Sequence, residues 1–388
     1  MNRISSPLSD LKPHYTVAVV GSGYGGSIAA SRLARAGQSV CLLERGRELL
    51  PGEYPDSEIE ALREFQVDLP LGHQGSPTGL YDFRVNSDIN VFLGCGLGGT
   101  SLVNANVALE PEARVFDDPR WPKGLREDLA GLKAGFHRAA TMLGAAPYPG
   151  GAPALAKLKA LESSSRHLKH SGGAERPPIA VTFADGPNIA GVMQKRCTLC
   201  GDCVSGCNHG AKNTVLMNYL PDAKAFGAEI FTCVAVRRVA RAAEGWQVFF
   251  KAQEAGREAF DAPEQFITAE HVILAAGTLG STEILLRSRD AGLSLSGQLG
   301  EYFTGNGDVL GFAYNCDQPI HGIGRGRLPV EEDAPVGPTI TGIIDLRHQP
   351  DLETGLVIEE GSLPGALAGL MPTVFALAAK VMGHDTDS

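Results

Sequence analysis

Four cysteines fall within eleven residues, as Cys197-x-x-Cys200-x-x-Cys203-x-x-x-Cys207. Thiolates spaced this way wrap one [4Fe–4S] cube, because each short loop returns a sulfur to another corner. Asn208 stands where a proline commonly closes such a run, and no second run exists to share the fourth thiol. The same residues could instead hold zinc, with His209 as a further candidate ligand, or hold nothing. The remaining cysteines, Cys41, Cys95, Cys233 and Cys316, read as buried small hydrophobes.

A second pattern carries different chemistry. Gly21-x-Gly23-x-x-Gly26 follows a β-rich run, Tyr15–Val20, and precedes a helix-forming stretch, Ser27–Ala36, that Gly37 ends. Glu44 closes the next strand, Ser39–Leu43, and sits 18 residues beyond Gly26. This context reads as a dinucleotide fingerprint. Gly21 permits a tight turn, Gly23 lets the backbone approach a pyrophosphate, and Gly26 lets helix pack on strand. The helix N-terminus offers free N–H groups and a positive dipole end to the phosphates. Glu44 can accept from a ribose hydroxyl and disfavours a 2′-phosphate, which points away from NADP. The pattern alone does not separate FAD from NAD.

Two further segments supply close-approach surfaces. Gly94–Asn106 (GCGLGGTSLVNAN) combines glycines with the short polar side chains of Ser101, Asn104 and Asn106, and could line a flat ring or form a tight structural turn. His271–Ala276 reads as a buried strand that turns at Gly277 into a helix over Ser281–Arg289.

These segments need elements to hold them. Residues 1–14 read as a polar, flexible leader, and 47–90 as mixed, with one short helical stretch near 56–65. Residues 116–145 carry apolar positions at helical spacing, and 146–190 are rich in Pro, Gly and Ser around one short helix. Phe226–Val239 and Gly245–Lys251 alternate like strands, and short strands such as Pro338–Leu346 follow. No internal repeat is present. Ala366–Ala379 is nearly all apolar but only fourteen residues long. A spanning helix needs roughly 20, so it reads as a buried or amphipathic helix, with membrane contact as the lesser alternative.

Composition bounds the rest. The chain has 388 residues, 43% hydrophobic and 20% charged, enough for a large core in more than one domain. Its 48 glycines are not periodic, which excludes collagen. A net charge of −10 without basic runs argues against nucleic-acid binding. The N-terminal residues show no apolar h-region. Clustered cysteines without an export signal suit a reducing compartment, so a cytoplasmic location is expected.

Taken together, GSGYGGS at 21–27, GLGGTSLVNANV at 96–107, AAGTLGSTEILLRS at 275–288 and Asn306-Gly307-Asp308 resemble the glucose-methanol-choline (GMC) oxidoreductases. The cholesterol-oxidase-like branch is the more similar. The resemblance spreads over most of residues 15–360. It implies an α/β protein, α+β overall, with a Rossmann-like FAD-binding domain and an interleaved substrate domain on a mixed sheet. Mapped along the chain, residues 1–115 and 191–300 would build the FAD-binding domain, and 116–190 and 301–388 the substrate domain. Carried over by position, Gly99, Asn104 and Gly277 would lie near the cofactor, and Val236 would touch the adenine through its backbone. The implied activity is oxidation of the CH–OH group of a small-molecule alcohol, sterol-like or otherwise apolar. Hydride would pass to FAD, and electrons then to oxygen or a redox partner, with a cluster as a possible relay.

The resemblance also implies a structural reading of the cysteines, since the same branch carries Cys-rich loops followed by Gly-Ala-Lys, as in Gly210-Ala211-Lys212. Glu359 occupies a position similar to the carboxylate proposed as a base in cholesterol-oxidase-like enzymes, although a solvated acidic pair with Glu360 explains it equally simply. The family's catalytic His, in a C-terminal turn, has no counterpart before Ser388, and His384 stands in the wrong context. The expectation is therefore a C-terminally truncated chain. The rival class is a flavin-binding fragment without turnover, or a flavin/iron–sulfur electron-transfer module.

Overall fold

A computed structural model describes residues 1–69, 72–168, 172–253, 264–313, 316–370 and 372. They form two compact units. The first gathers 1–53, 62–103 and 214–314, and the second 54–61, 104–213 and 315–388.

The first unit is built on a six-stranded mixed sheet. Its order is Glu229–Phe231, Val40–Leu43, His14–Val20, Gln265–Leu274, Trp246–Ala252, Val234–Arg241. The strands before Gln265 in that order run parallel, with Val17 opposite Val40 on one side and His271 on the other. Trp246–Ala252 pairs antiparallel with both of its neighbours. The strands His14–Val20 and Val40–Leu43 are apolar on both faces over most of their length, as strands buried on both sides must be. Val17, Ala18, Val19 and Val20 are all at most 3% exposed. Helix Tyr24–Arg35 crosses from His14–Val20 to Val40–Leu43, which makes the β-α-β unit read from the spacing. Its Ser31 Oγ donates to Asp222 at 2.6 Å and its Arg35 Nε to the same carboxylate at 2.9 Å. Helix Gly277–Asp290 follows the strand Gln265–Leu274, four residues earlier than the spacing placed its start.

Three local expectations are revised. The leader is ordered: Leu8–Asp10 is a 3₁₀ turn, and Ile4 N and Ser5 N donate to the buried Glu48 carboxylate at 2.8 and 3.0 Å. The run 226–239 is not one strand. It breaks between Phe231 and Val234, where Cys233 adopts a left-handed φ of 57° and its N–H turns to Gly46 O. Residues 65–94 hold a four-stranded sheet, in the order Gly72–Gly75, Phe65–Leu69, Tyr81–Arg84, Val91–Gly94. Phe83 stacks between Phe65 (5.4 Å) and Phe92 (4.8 Å) on it.

In the second unit the helical stretch 116–145 divides. Pro119 and Pro122 precede a short helix, Lys123–Glu127, and Asp128 then caps a longer one, Leu129–Leu143, by accepting from Gly131 N at 2.8 Å. Helix Ala156–Ser165 is anchored by a buried ion pair between Lys157 and Glu360 at 2.5 Å. Among the described residues of this unit the ladders are two-stranded, including Ile343–Asp345 with Val357–Glu359. Of the apolar segment 366–379, residues 366–370 and 372 are described. Gly365–Ala368 is a short helix with Ala366 buried, and the rest, like His384, lies outside the described residues. Among the described residues no helix is long and apolar enough to cross a membrane.

Candidate functional site

The first unit contains a cavity of about 780 Å³ at the C-terminal ends of the parallel strands. Gly21, Gly23, Glu44, Gly99, Val236 and Gly277 all line it. Segments far apart in sequence thus line one cavity, as a ligand site at the strand ends of an α/β sheet requires.

The turn is held by a specific lock. Ser22 N and Oγ donate to Glu44 Oε2 at 3.0 and 2.6 Å, and Gly46 N donates to Oε1 at 2.8 Å. Ser22 Oγ in turn accepts from Gly98 N at 2.9 Å, tying the second glycine loop to the first. A carboxylate offers about four acceptor positions. Three are used, so one remains on Oε1 for a hydroxyl such as that of a ribose. Gly26 does not line the cavity. It is the contact between helix and turn, since a Cβ there would stand 2.0 Å from Gly21 O. Gly23 is the reverse case, because a Cβ there would meet nothing within 4 Å. These observations fit a dinucleotide whose pyrophosphate sits against the N-terminus of Tyr24–Arg35.

The cavity also has a charged wall that motif reasoning missed. Asp82, 1% exposed, accepts from Arg45 at 2.5 Å and from Arg84 Nε at 2.8 Å. Arg84 reaches Glu283 at 3.1 Å. Burial works against the Arg45 charge, but the Asp82 carboxylate beside it favours the charged form, and its pKa rises. Cys95, also on the wall, is pushed up to about 12 by burial and is therefore a neutral thiol. Arg45 follows Glu44 directly, which was the available signal. Asp82 and Arg84 lie on a strand whose existence the sequence pattern did not reveal.

Three residues singled out in the sequence are not among those lining this cavity. Asn104 belongs to the second unit, where its carbonyl accepts from Lys212 Nζ at 2.7 Å. Glu359 is exposed on the strand Val357–Glu359 of that unit. Its neighbour Glu360 is the engaged acid, accepting from Lys157 and from Thr341 N at 2.7 Å and Gly342 N at 3.0 Å. Asn306 donates to Asp308 on an exposed segment.

The cysteine run also belongs to the second unit, whereas the sequence-based mapping grouped it with 191–300. All four thiols line one cavity, with Val181, Ala211 and Lys212. Burial, then the like charge of neighbouring thiols, pushes Cys197, Cys200 and Cys207 upward. Among the described residues no three His, Cys, Asp or Glu are grouped so as to hold a metal ion, so the structure supports neither the zinc nor the cluster reading. Two of the other cysteines depart from expectation. Cys316 is exposed and Cys233 half-buried, while Cys41 and Cys95 are buried as expected.

Comparison with known proteins places this geometry. Residues 19–294 match the family profile described as GMC oxidoreductase. A cholesterol oxidase of Mycobacterium tuberculosis (strain ATCC 25618 / H37Rv) is 28% identical over 390 residues, covering 96% of this chain and 60% of the relative. A cholesterol oxidase of Acinetobacter baumannii is 26% identical, over 77% of this chain and 56% of that protein. A long-chain-alcohol oxidase of Arabidopsis thaliana is 28% identical over 57% of this chain and 26% of its own length. Among solved structures, a fungal aryl-alcohol oxidase aligns with a TM-score of 0.46 at 15% identity, covering 72% of this chain and 48% of that one. The chain therefore spans 56–60% of the length of the cholesterol oxidases it matches.

Proposed function

We propose, for a chain that belongs to the GMC oxidoreductase family, that the first unit binds FAD and serves the oxidation of the CH–OH group of an apolar alcohol. The observation that carries the reading is the convergence of 21–25, Glu44, Gly94, Cys95, Gly99, Thr100, Val236 and 275–277 on one cavity. FAD, when bound, supplies a two-electron sink for hydride from a carbinol carbon. The protein's part is placement. The amides at the start of Tyr24–Arg35 would hold the pyrophosphate, and Glu44 Oε1 would accept from the ribose. Val236 would meet the adenine through its backbone, and the Gly94–Thr100 loop would lie along the ring. The Arg45–Asp82–Arg84 network holds the facing wall without a mobile charge. A sterol or a long-chain alcohol is favoured as substrate, because the relatives named above are cholesterol and long-chain-alcohol oxidases. Oxygen or a redox partner would take the electrons.

The test has two stages. Mass spectrometry of the released cofactor should give FAD; NADP, or no nucleotide after gentle purification, defeats the binding site. The flavin is then mixed anaerobically with sterols, long-chain alcohols and aryl alcohols. Bleaching by the apolar members is expected. A bound flavin that none of them bleaches defeats the alcohol reading and leaves a flavin-binding chain.

A further inference from the structure

We propose that a cavity of about 480 Å³ in the second unit binds a neutral, apolar alcohol and recognises it by its hydroxyl group. Small-molecule sites span about 300–1,000 Å³. The lining residues all belong to the second unit, so the site is distinct from the flavin cavity and the proposal does not rest on the flavin reading.

Separate stretches of chain meet there. Helix Leu129–Leu143 stops at Gly144, whose left-handed φ of 56° ends it beside the cavity. Residues 181–189 form a second side, and Gln194 and Asn213 complete the lining. Met142, Pro147, Val181, Phe183 and Ile189 make much of the surface apolar. Phe183 is held edge-on by Tyr148, with ring centres 5.4 Å apart. Ile189 is 65% exposed, so an apolar body in the cavity would withdraw from water a side chain that the fold leaves there.

The polar groups of the lining select the head group. Thr141 Oγ1 donates to His137 O at 2.8 Å and Thr182 Oγ1 to Ala184 O at 3.1 Å, so both hydroxyl protons are spent locally. Two buried amides are not spent. Gln194, 5% exposed, donates from Nε2 to Gly210 O at 3.0 Å, which fixes which way its amide faces. Its Oε1 is left as an acceptor that no donor among the described residues reaches. Asn213, 6% exposed, has no hydrogen bond at Oδ1, and its Nδ2 stands beside Gly144, where a Cβ would meet it at 3.0 Å. Buried polar groups without a partner are rare, and two on one cavity call for a ligand group that both donates and accepts. A hydroxyl does so, giving its proton to Gln194 Oε1 and accepting from Asn213 Nδ2. A ketone has no proton for Gln194. A carboxylate has none either, and it would meet like charge: Asp185 lines the cavity, and among the described residues no Lys or Arg does.

The experiment follows the methyl resonance of Met142, a buried residue of the lining, in the full chain labelled at its methionine methyls. The probes are 1-octanol, octan-2-one and octanoate, which share a chain length and differ in head group. 1-Octanol should move the Met142 resonance, assigned with Met142→Leu, along a saturating one-site curve. Octan-2-one and octanoate should bind more weakly by at least about two- to tenfold, the range set by one neutral hydrogen bond. Asn213→Leu should weaken 1-octanol by a similar factor without lowering Tm, because it removes an amide that has no partner to lose. Ile189→Asp should weaken it as well, and its exposed position keeps the test open if Asn213→Leu misfolds. A Met142 resonance that stays still up to the solubility of 1-octanol would overturn the proposal. So would a ketone or carboxylate that binds as tightly, or Asn213→Leu or Ile189→Asp proteins that bind like the parent. FAD content and flavin bleaching are read on the same sample, so failure here is separable from failure of the flavin site.

Discussion

Gly23 and Gly26 lie three residues apart, yet their substitution should fail in opposite ways. A Cβ on Gly26 would sit 2.0 Å from Gly21 O and 3.2 Å from Ala275 Cβ. The nearer atom is backbone and cannot rotate away, so the helix must lift from the strand. Overpacking costs about 1–3 kcal/mol, and a backbone clash belongs at the upper end. At about 2–4 °C per kcal/mol, Gly26→Ala should lower Tm by several degrees with or without ligand. Gly23 has φ −63° and ψ −167°, a conformation open to any L residue, and its Cβ would point into empty space. Gly23→Val should therefore leave the cofactor-free protein as stable as the parent. Its side chain would stand where the pyrophosphate must approach. Losing one or more charge-assisted hydrogen bonds there costs about 1.5–3 kcal/mol, or roughly ten- to hundredfold in affinity. The assay is a pair of thermal melts on deflavinated protein and FAD titrations followed by fluorescence quenching. Gly23→Val that binds FAD like the parent, or that melts early without ligand, would refute the placement of the phosphates.

Glu44→Gln should weaken FAD binding and lower Tm, because an amide NH₂ would face the donors of Ser22 or Gly46; a buried unmade hydrogen bond costs about 1–3 kcal/mol. Asp222 is held below the usual carboxylate range: burial alone would raise it, but Arg35 and Ser31 outweigh that. Its stabilisation is full above its unfolded value of about 3.9 and is lost as pH falls toward the folded value. Asp222→Asn should thus be less stable at neutral pH and show a flatter acid limb in Tm against pH. Lys157→Met should be among the most damaging single changes in the second unit, since breaking a buried pair costs about 3–5 kcal/mol, and adding Glu360→Gln should recover part of the loss in urea denaturation. Glu359→Gln should change neither FAD content nor the rate of anaerobic flavin bleaching, since Glu359 is exposed on its hairpin.

What was legible in the sequence was local. The β-α-β unit could be read because its demands fall on neighbouring residues: a turn that needs Gly21, a crossing that needs Gly26, an acid at the end of the next strand. The ordered leader could not be read, because its polar amides find Glu48, 44 residues away from Ile4. The sheet over 65–94 was hidden for a similar reason. Its strands are four or five residues long, interrupted by Gly and Pro, and their stability comes from pairing and from the stack of Phe65, Phe83 and Phe92. With that sheet unseen, Asp82 and Arg84 had no strand to bring them to the cavity. Asn104 was carried over by resemblance; it opens the segment 104–213 of the second unit and is not among the residues lining the cavity.

Glu359 and Glu360 show why residue type at the right position is not enough. Successive side chains along an extended segment point to opposite faces, so two adjacent acids cannot share one environment. In the hairpin Ile343–Asp345 with Val357–Glu359, Glu359 pairs opposite Ile343 and faces solvent. Glu360 turns inward to Lys157, Thr341 and Gly342. The inward acid is the more buried of the two, and its lone pairs are spent on a cation, two amides and a hydroxyl. A base must have a lone pair free to receive a proton, and Glu360 has given its capacity to structure. The pair therefore divides into an acid that is exposed and an acid that is buried and occupied.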